Sequence, residues 1–411
     1  MRDMLKSLTP VAALLFGVAI LLTGQGLQST LLPVRANLEA FSVLSIGFMG
    51  GAYFLGFTLG CLRGIQLVQR LGHVRLFAAM AAVASAAPLI HVLWVEPWVW
   101  WVLRLTSGFC FAVLYVVIES WLNEKSTNEN RGTVFSAYTV ISLTLMAVGQ
   151  QFTQLNDPLG MASFAIASVL VSLAALPVVM SNSETPQQAQ AVRFSLRRLF
   201  AISRTGMLGC LACGLANGAF WALAPVFTAG VSNSVSLAAG FMTGAVIGGA
   251  LGQWPLGIWS DRGDRRIVIA AATLLSAVTG IGIWLFASSM SSAVLILFSG
   301  IWGGLAFPLY ALAVAHTNDF AEDGEYVMVS AGLLFMYGVG AIVGPSIAAG
   351  VMTLFSQNVL YLYTAVIHLV LFAYVLVRLR RRASAPLAQH VRFSEALTSV
   401  QTASQVYEEE R

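Results

Sequence analysis

The densest group of charged residues in the chain lies between two long apolar stretches. Residues 257–266 read GIWSDRGDRR, which places two carboxylates and three guanidinium groups within ten positions. Such side chains form charge-assisted hydrogen bonds, which are stronger than neutral ones. Hydrocarbon does not accommodate this much charge, so we expect a tight turn at a membrane surface. In this "charged loop", Asp261, Arg262, Arg265 and Arg266 are candidates for gating contacts, and a topology signal in a simple turn is the alternative.

Two more charged residues fall inside an apolar stretch, residues 98–122, that is long enough to cross a membrane. Arg104 and Glu119 are fifteen positions apart, about 22 Å along a helix, so they cannot pair with each other. Arg104 is either an anion or substrate contact in a wet cavity or a guanidinium that snorkels or caps carbonyl groups. Glu119 is either a structural or gating ion pair, with Arg70 and Arg131 as candidate partners, or a proton carrier.

Polar and aromatic residues on the other apolar stretches form a third group of candidates. We expect contacts to a substrate from Gln25, Gln28, Asn217, Trp221, Trp302, Tyr310 and Tyr337, together with Arg104. Tyr138, Gln150 and Gln151 are further polar positions of the same kind. For each of these residues, packing or hydrogen bonding between helices is the alternative.

The composition indicates that these residues belong to membrane-spanning segments. Of the 411 residues, 58% are hydrophobic and only 10% are charged, and the mean hydropathy is +0.80. Too few charges are present to cover a soluble surface of this size, which indicates a polytopic membrane protein. The net charge of +4 arises from short basic clusters between apolar stretches, a pattern of topology signals, so we expect no nucleic-acid partner.

The sequence lacks the common motifs of catalysis, nucleotide binding and metal binding. The sequence has no G-x-x-x-x-G-K-[ST], H-E-x-x-H or G-x-S-x-G pattern. Its four cysteines lie in apolar stretches, and we interpret Cys210 and Cys213 as small helix residues, not as a metal site or a disulfide. We therefore expect no enzyme activity, no catalytic residue, no metal and no cofactor, and any active transport must use an ion gradient.

Twelve apolar stretches are long enough to span a bilayer, and they predict an all-α protein with twelve transmembrane helices. The predicted spans are residues 10–33, 42–64, 74–94, 98–122, 132–154, 160–180, 205–229, 236–259, 267–288, 292–315, 326–354 and 358–378. The first span follows two basic residues as a signal peptide would, but it is too long for one, so we expect it to be retained.

The spans predict two six-helix halves with a linker between them. The halves are residues 1–180 and 205–379, the linker is 181–204, and the tail is 380–411, which we expect to be unstructured. In the linker, residues 193–200 either form an amphipathic helix on the membrane surface or belong to an unfolded tether. All but two of the 22 Lys and Arg residues lie on the side of the N-terminus, which predicts cytoplasmic termini.

The two halves are related by an internal repeat at an offset of 192 positions. The matched pairs are Gln25 and Asn217, Pro33 and Pro225, Gly56 and Gly248, Gly60 and Gly252, Arg70 and Arg262, Gly108 and Gly300, and Gly132 and Gly324. Two halves of the same orientation joined by a linker are typical of parallel-repeat transporters.

Several of these residues resemble the motifs of the major facilitator superfamily. Residues 257–266 resemble its loop motif G-x-x-x-D-R-x-x-R-R, Arg104 to Gly108 resemble R-x-x-x-G, and Gly340 to Pro345 resemble its glycine-proline pattern. The segments GQWPLG at 252–257, VIES at 117–120 and NRG at 130–132 are similar to the bacterial YcaD-like branch. The resemblance covers nearly all of the chain apart from the tail.

This resemblance implies a monomeric, multi-pass protein of the bacterial inner (cytoplasmic) membrane. It implies a secondary transporter that alternates access by rocking its halves in the lipid bilayer, and it leaves the solute open. The aromatic residues of the seventh and tenth spans favour a small organic solute, and Arg104 favours an anionic one. Transport coupled to protons and uncoupled facilitation both stay open. The first loop departs from the motif, with Gln69 in place of the usual Asp and Ile65 in place of the usual Gly. That loss and the tail permit an alternative, a receptor or membrane assembly factor that has kept the fold without transport.

Overall fold

The computed structural model describes residues 11–127, 130–180, 195–322, 324–381, 386 and 390–393. Within these residues it contains twelve helices that are long and apolar enough to cross a membrane. They are α1 (Ala12–Leu38), α2 (Val43–Leu71), α3 (His73–Leu93), α4 (Pro97–Lys125), α5 (Arg131–Gln154), α6 (Ala162–Val179), α7 (Arg204–Val231), α8 (Val235–Asp261), α9 (Arg265–Ser289), α10 (Ser292–Asn318), α11 (Tyr326–Leu354) and α12 (Gln357–Arg381).

The twelve predicted spans are thereby confirmed, with small shifts at their ends. The largest shift is in α2, which continues to Leu71 where the sequence predicted an end at residue 64. Short polar residues set several helix starts: the Ser203 hydroxyl accepts from the Gly206 amide, and the Asp264 carboxylate accepts from the Arg266 amide. Such caps satisfy backbone donors that have no partner within the helix.

Alternation of the twelve helices gives the bundle two faces. We call the "linker face" the one formed by the connections at Gly72, Asn130, Ser203, Gly263 and Asp319. The "opposite face" is formed by the connections at Ala40, Val95, Asp157, Asn233, Met290 and Ser356.

Glycines bring α2 against α4 and α8 against α10 at matched positions of the repeat. A Cβ on Gly56 would overlap the Leu105 carbonyl oxygen, and one on Gly108 would overlap the Tyr53 carbonyl oxygen. In the second half, a Cβ on Gly248 would overlap the carbonyl oxygen of Gly300. Small residues let membrane helices approach this closely, so the repeated glycines fix the same helix pair in both halves.

Replacement of Gly56 with alanine should destabilise the bundle. The added methyl group must push α2 away from α4, and such overpacking costs about 1–3 kcal/mol. We expect Gly56→Ala to lower the midpoint of thermal unfolding in detergent. Gly132→Ala is the matched control, because a Cβ there has no atom within 4 Å. Equal midpoints for the two variants would contradict the proposed tight contact.

Contacts between the halves lie toward the opposite face. Gly47 packs against Pro345 and Ala349, so α2 and α11 touch close to this face. Toward the same face, the Gln151 amide nitrogen donates to the Thr243 hydroxyl at 2.6 Å, which links α5 to α8. These contacts close the space between the halves on that side.

The described part of the linker is a short helix, Leu196–Ile202, which begins at the Ser195 cap. Leu199 is buried in the C-terminal half, so the helix packs on protein as well as presenting an exposed side. Arg198 pairs with Glu322 at 3.1 Å and with Glu325 at 2.7 Å, and its guanidinium lowers the pKa of Glu325. An unfolded tether is therefore wrong for this segment, while residues 193 and 194 lie outside the described residues.

Four residues of the tail also differ from the prediction. His390 to Phe393 lie against the linker face, where their backbone groups bond to charged residues of the C-terminal half. The expected lack of structure is therefore wrong for these four residues, because the carboxylates of Asp319 and Asp261 and an apolar pocket supply partners for them. The remaining tail residues, apart from Pro386 and the last residues of α12, lie outside the described residues.

Candidate functional site

A cavity of about 460 Å³ lies between the halves, within the size range of small-molecule sites. Both halves contribute to its lining. Nine candidate residues from the sequence line it: Gln25, Gln28, Arg104, Glu119, Tyr138, Asn217, Trp221, Tyr310 and Tyr337. The repeat-related pair Gln25 and Asn217 is thus brought to one cavity from opposite halves.

The wall from the N-terminal half carries a hydrogen-bonded network. The Arg104 guanidinium lies over the Tyr53 ring, 4.1 Å from its centroid, a geometry in which the ring face stabilises the cation. The Gln25 amide nitrogen donates to the Tyr53 hydroxyl at 2.9 Å, and the Tyr115 hydroxyl donates to the Gln25 carbonyl oxygen at 2.6 Å. This network joins α1, α2 and α4 and fixes the orientation of the Gln25 amide.

Several polar atoms of the lining have no hydrogen-bond partner within the described part of the chain. They are both amide atoms of Gln28, Nε of Arg104, Oδ1 of Asn217 and the hydroxyl of Tyr310. An unsatisfied buried polar group costs about 1–3 kcal/mol, so a cluster of them at a cavity is well suited to bind a polar ligand. Gln28 is only 2% exposed, which leaves the cavity as the place where its amide can find a partner.

Glu119 supplies a carboxylate near the linker-face end of the cavity. It is 3% exposed, lines the cavity and accepts a hydrogen bond from the Tyr138 hydroxyl at 3.4 Å. Of its two predicted partners, Arg70 lies exposed in the last turn of α2, and Arg131 is the first residue of α5. The structure thus places the carboxylate where a ligand or a proton in the cavity can reach it.

The wall from the C-terminal half is aromatic. The Trp221 ring stacks on the Phe307 ring, with centroids 5.7 Å apart and an angle of 11° between the planes. Both residues line the cavity. Phe307 lies where α10 is interrupted ahead of Pro308, a residue that cannot donate a backbone hydrogen bond.

Trp302 lies outside the cavity lining, unlike the other predicted substrate contacts. Its side chain is fully buried, stacks on Phe220 at 5.1 Å and meets Phe307 edge-on at 5.8 Å. Trp302 therefore packs behind the aromatic wall. The sequence places an aromatic residue on α10 but does not show which face of that helix meets the cavity.

The charged loop forms its ion pairs within the C-terminal half. Arg265 donates from Nε to the Asp319 carboxylate at 2.7 Å and from Nη1 to Asp261 at 2.9 Å. Arg266 pairs with Asp264 at 2.6 Å. Burial alone would raise the pKa of Asp264, but hydrogen bonds from Arg266 hold it below its ordinary value.

Arg262 differs from its neighbours in the loop because its side chain is exposed. It caps the end of α8 through its backbone amide, which bonds to the Trp259 carbonyl oxygen.

Comparison with known proteins agrees with this architecture. The family model described as Major Facilitator Superfamily matches residues 206–405. The MFS-type transporter YcaD of Escherichia fergusonii is 29% identical over 386 residues, which is 92% of this chain and 98% of YcaD. The chain is thus similar to members of the major facilitator superfamily along most of its length. Together with the twelve spans, this similarity indicates a multi-pass membrane transporter.

Solved structures show the same fold at low sequence identity. The nucleoside transporter NupG (D323A mutant) has a TM-score of 0.74 at 14% identity, covering 89% of this chain and 99% of that chain. A bacterial homolog of the human lysosomal transporter Spinster, in an inward-facing and occupied conformation, has a TM-score of 0.71 at 14% identity, covering 93% and 97% of the two chains.

Sequence reasoning missed several residues of this transporter's site. Tyr53 and Tyr115 hold Gln25, and Phe307 stacks on Trp221, yet each was hidden in an apolar stretch. Asp319 lies between two predicted spans, in an acidic cluster with Glu322, Asp323 and Glu325 that carries no recognised motif. A usable signal existed there, because an acidic cluster and the charged loop fall on the same face and must neutralise each other.

Replacement of Asp319 with asparagine should strongly destabilise this transporter. The side chain of Arg265 is fully buried, and removal of one partner of a buried ion pair costs about 3–5 kcal/mol. We expect Asp319→Asn to lower the midpoint of thermal unfolding by several degrees. Glu322→Gln is the control, since Glu322 has a 79% exposed side chain and should leave the midpoint within error. A similar, small effect in both variants would show that the buried pair contributes little.

Proposed function

We propose that this transporter is a secondary transporter that moves a small organic solute by alternating access. The observation that carries the proposal is a cavity of about 460 Å³ that is built by both halves and closed by contacts near the opposite face. Rocking of the halves would break those contacts and close the cavity at the linker face. The distribution of basic residues supports a cytoplasmic position for the linker face, in the cytoplasmic membrane of a bacterial cell.

The arrangement of the helices supports a conformation that is open to the cytoplasm. The cavity lining reaches Gln66, Phe135 and Ala331, all within two turns of the linker-face ends of their helices. Leu62, which also lines the cavity, is 45% exposed. At the other end, Gln151 and Thr243 join the halves. The charged loop lies at the cytoplasmic side in this orientation.

We infer that the solute is an amphipathic organic anion. Arg104 offers a cation with an unpartnered Nε, and the amides of Gln28 and Asn217 offer further polar contacts. Across the cavity, Trp221 and Phe307 form a flat aromatic surface that suits a ring or an apolar chain. A carboxylate near α4 and an apolar group near α7 and α10 satisfy both walls.

Glu119 is the residue that we propose for coupling to protons. It is a buried carboxylate at a cavity that reaches the cytoplasm. An acid within a membrane span costs free energy to bury, and such residues therefore tend to mark functional sites. Proton binding would remove its charge and change the free energy of a bound anion. A proton and the solute would thereby influence each other's binding through the same cavity.

A ligand-stabilisation screen tests the solute class. Aromatic carboxylates and their neutral amides would be compared for their effect on the midpoint of thermal unfolding, since ligands that bind the folded state raise it. We expect stabilisation by carboxylates, and a loss of affinity of about tenfold or more in Arg104→Ala, equivalent to ~1.4 kcal/mol. Arg70→Ala is the control with an exposed arginine. Equal stabilisation by amides and carboxylates would argue against an anionic solute.

Proteoliposome flux tests the coupling. With a solute from that screen, Glu119→Gln should retain transport down a solute gradient and lose the stimulation by an imposed pH gradient. The amide cannot titrate but keeps the size of the side chain. Glu124→Gln, at the end of the same helix and outside the cavity lining, is the control. A pH response that persists in Glu119→Gln would exclude this residue as the proton site.

A further inference from the structure

A four-residue segment of the tail binds the charged residues at the linker face. The Val391 amide donates to the Asp319 carboxylate at 3.1 Å, and the Val391 carbonyl oxygen accepts from Arg265. Two residues later, the Phe393 amide donates to the two oxygens of Asp261 at 3.0 and 3.3 Å. The segment thus bonds in succession to three residues of the cluster that contains the charged loop.

The Phe393 side chain anchors the segment. It is 4% exposed and belongs to a buried apolar cluster that also contains Val268, Leu309 and Val375. Its ring lies against Gly257, where an added Cβ would overlap the ring carbons. The first glycine of the charged loop therefore leaves the space that the anchor fills.

Contact with the tail ties the loop to one half. Asp261 uses its oxygens for Arg265 and for the Phe393 amide, and Asp319 uses its own for Arg265 and the Val391 amide. A carboxylate that is satisfied within the C-terminal half gains little from a new partner in the other half. Cross-half pairing of Asp261 on closure of the linker face must compete with this contact.

We propose that residues 390–393 are an intramolecular strap that stabilises the conformation open to the linker face. The strap holds the charged loop in its own half, and its release makes Asp261 available for closure. This regulatory role rests on the alternating access proposed above. Docking or release of the strap thereby controls how often the transporter closes at the linker face.

Native Cys61 provides a reporter for the test. It lines the cavity and is partly accessible, whereas Cys110, Cys210 and Cys213 are buried. In vesicles that expose the linker face, a charged methanethiosulfonate reagent should label Cys61 in the open conformation. We expect Phe393→Ala to lower the labelling rate by about threefold or more, because it shifts the population toward the closed conformation.

Two matched control variants leave the contacts of the strap intact. Arg392→Ala changes an exposed side chain within it, and deletion of 394–411 removes only residues beyond it. Both should label at the rate of the unmodified chain. Deletion of 390–411 is a second loss variant and should behave as Phe393→Ala does, should the point variant fail to fold.

The outcomes distinguish a failure of the strap proposal from a failure of alternating access. Gln151→Ala weakens a contact that closes the opposite face, so it should also lower Cys61 labelling if access alternates. A change in Gln151→Ala with none in Phe393→Ala and the deletion overturns the strap alone. No change in any of these variants overturns alternating access as well. A lowered unfolding midpoint at an unchanged labelling rate in Phe393→Ala would reveal a purely structural anchor.

Discussion

The free-energy cost of removing charged side chains from water is the constraint on which the rest of this structure depends. A cation withdrawn from water in a protein this apolar needs acceptors around it, and Arg265, Arg35 and Arg104 meet this need in different ways. Arg265 has Asp319 and Asp261, while Arg35 near the opposite face has Glu39 at 2.7 Å and the Pro158 carbonyl oxygen at 2.9 Å. Arg104 has the Tyr53 ring. The third solution is the weakest, because an uncharged ring takes the place of a carboxylate, and Nε of Arg104 lies unsatisfied at the cavity.

That difference separates the structural charges from the functional ones. Arg265 and Arg35 have carboxylate partners and fix the ends of helices. Arg104 sits at a cavity whose other polar groups also have spare hydrogen-bonding capacity. Arginines with carboxylate partners therefore stabilise the protein at the membrane surface, whereas Arg104, which lacks such a partner, is available to bind a ligand within the bundle.

The two halves share a backbone plan but differ in chemistry. Gly56 and Gly248 make equivalent close contacts, so the repeat has preserved the packing of helices. The cavity walls have diverged, with an arginine–tyrosine–glutamine network on one side and stacked aromatic rings on the other. The charged loop is likewise one-sided, since Gln69 replaces the acid of the first copy and the tail contacts the second. An asymmetric solute fits an asymmetric cavity of this kind.

Much of the architecture was determined by the sequence alone. The twelve spans follow from apolar length, since a helix is the structure that satisfies every backbone group in hydrocarbon, and the repeat follows from residues 192 positions apart. Seven of the eight predicted substrate contacts line the cavity, because polar residues in membrane helices tend to face the interior of the bundle. Only the tertiary structure decided which partner each residue meets. The burial of Trp302, the pairing of Arg265 with Asp319 and the docking of Phe393 depend on helix rotation and on contacts between residues far apart in the chain, which hydropathy and local spacing do not encode.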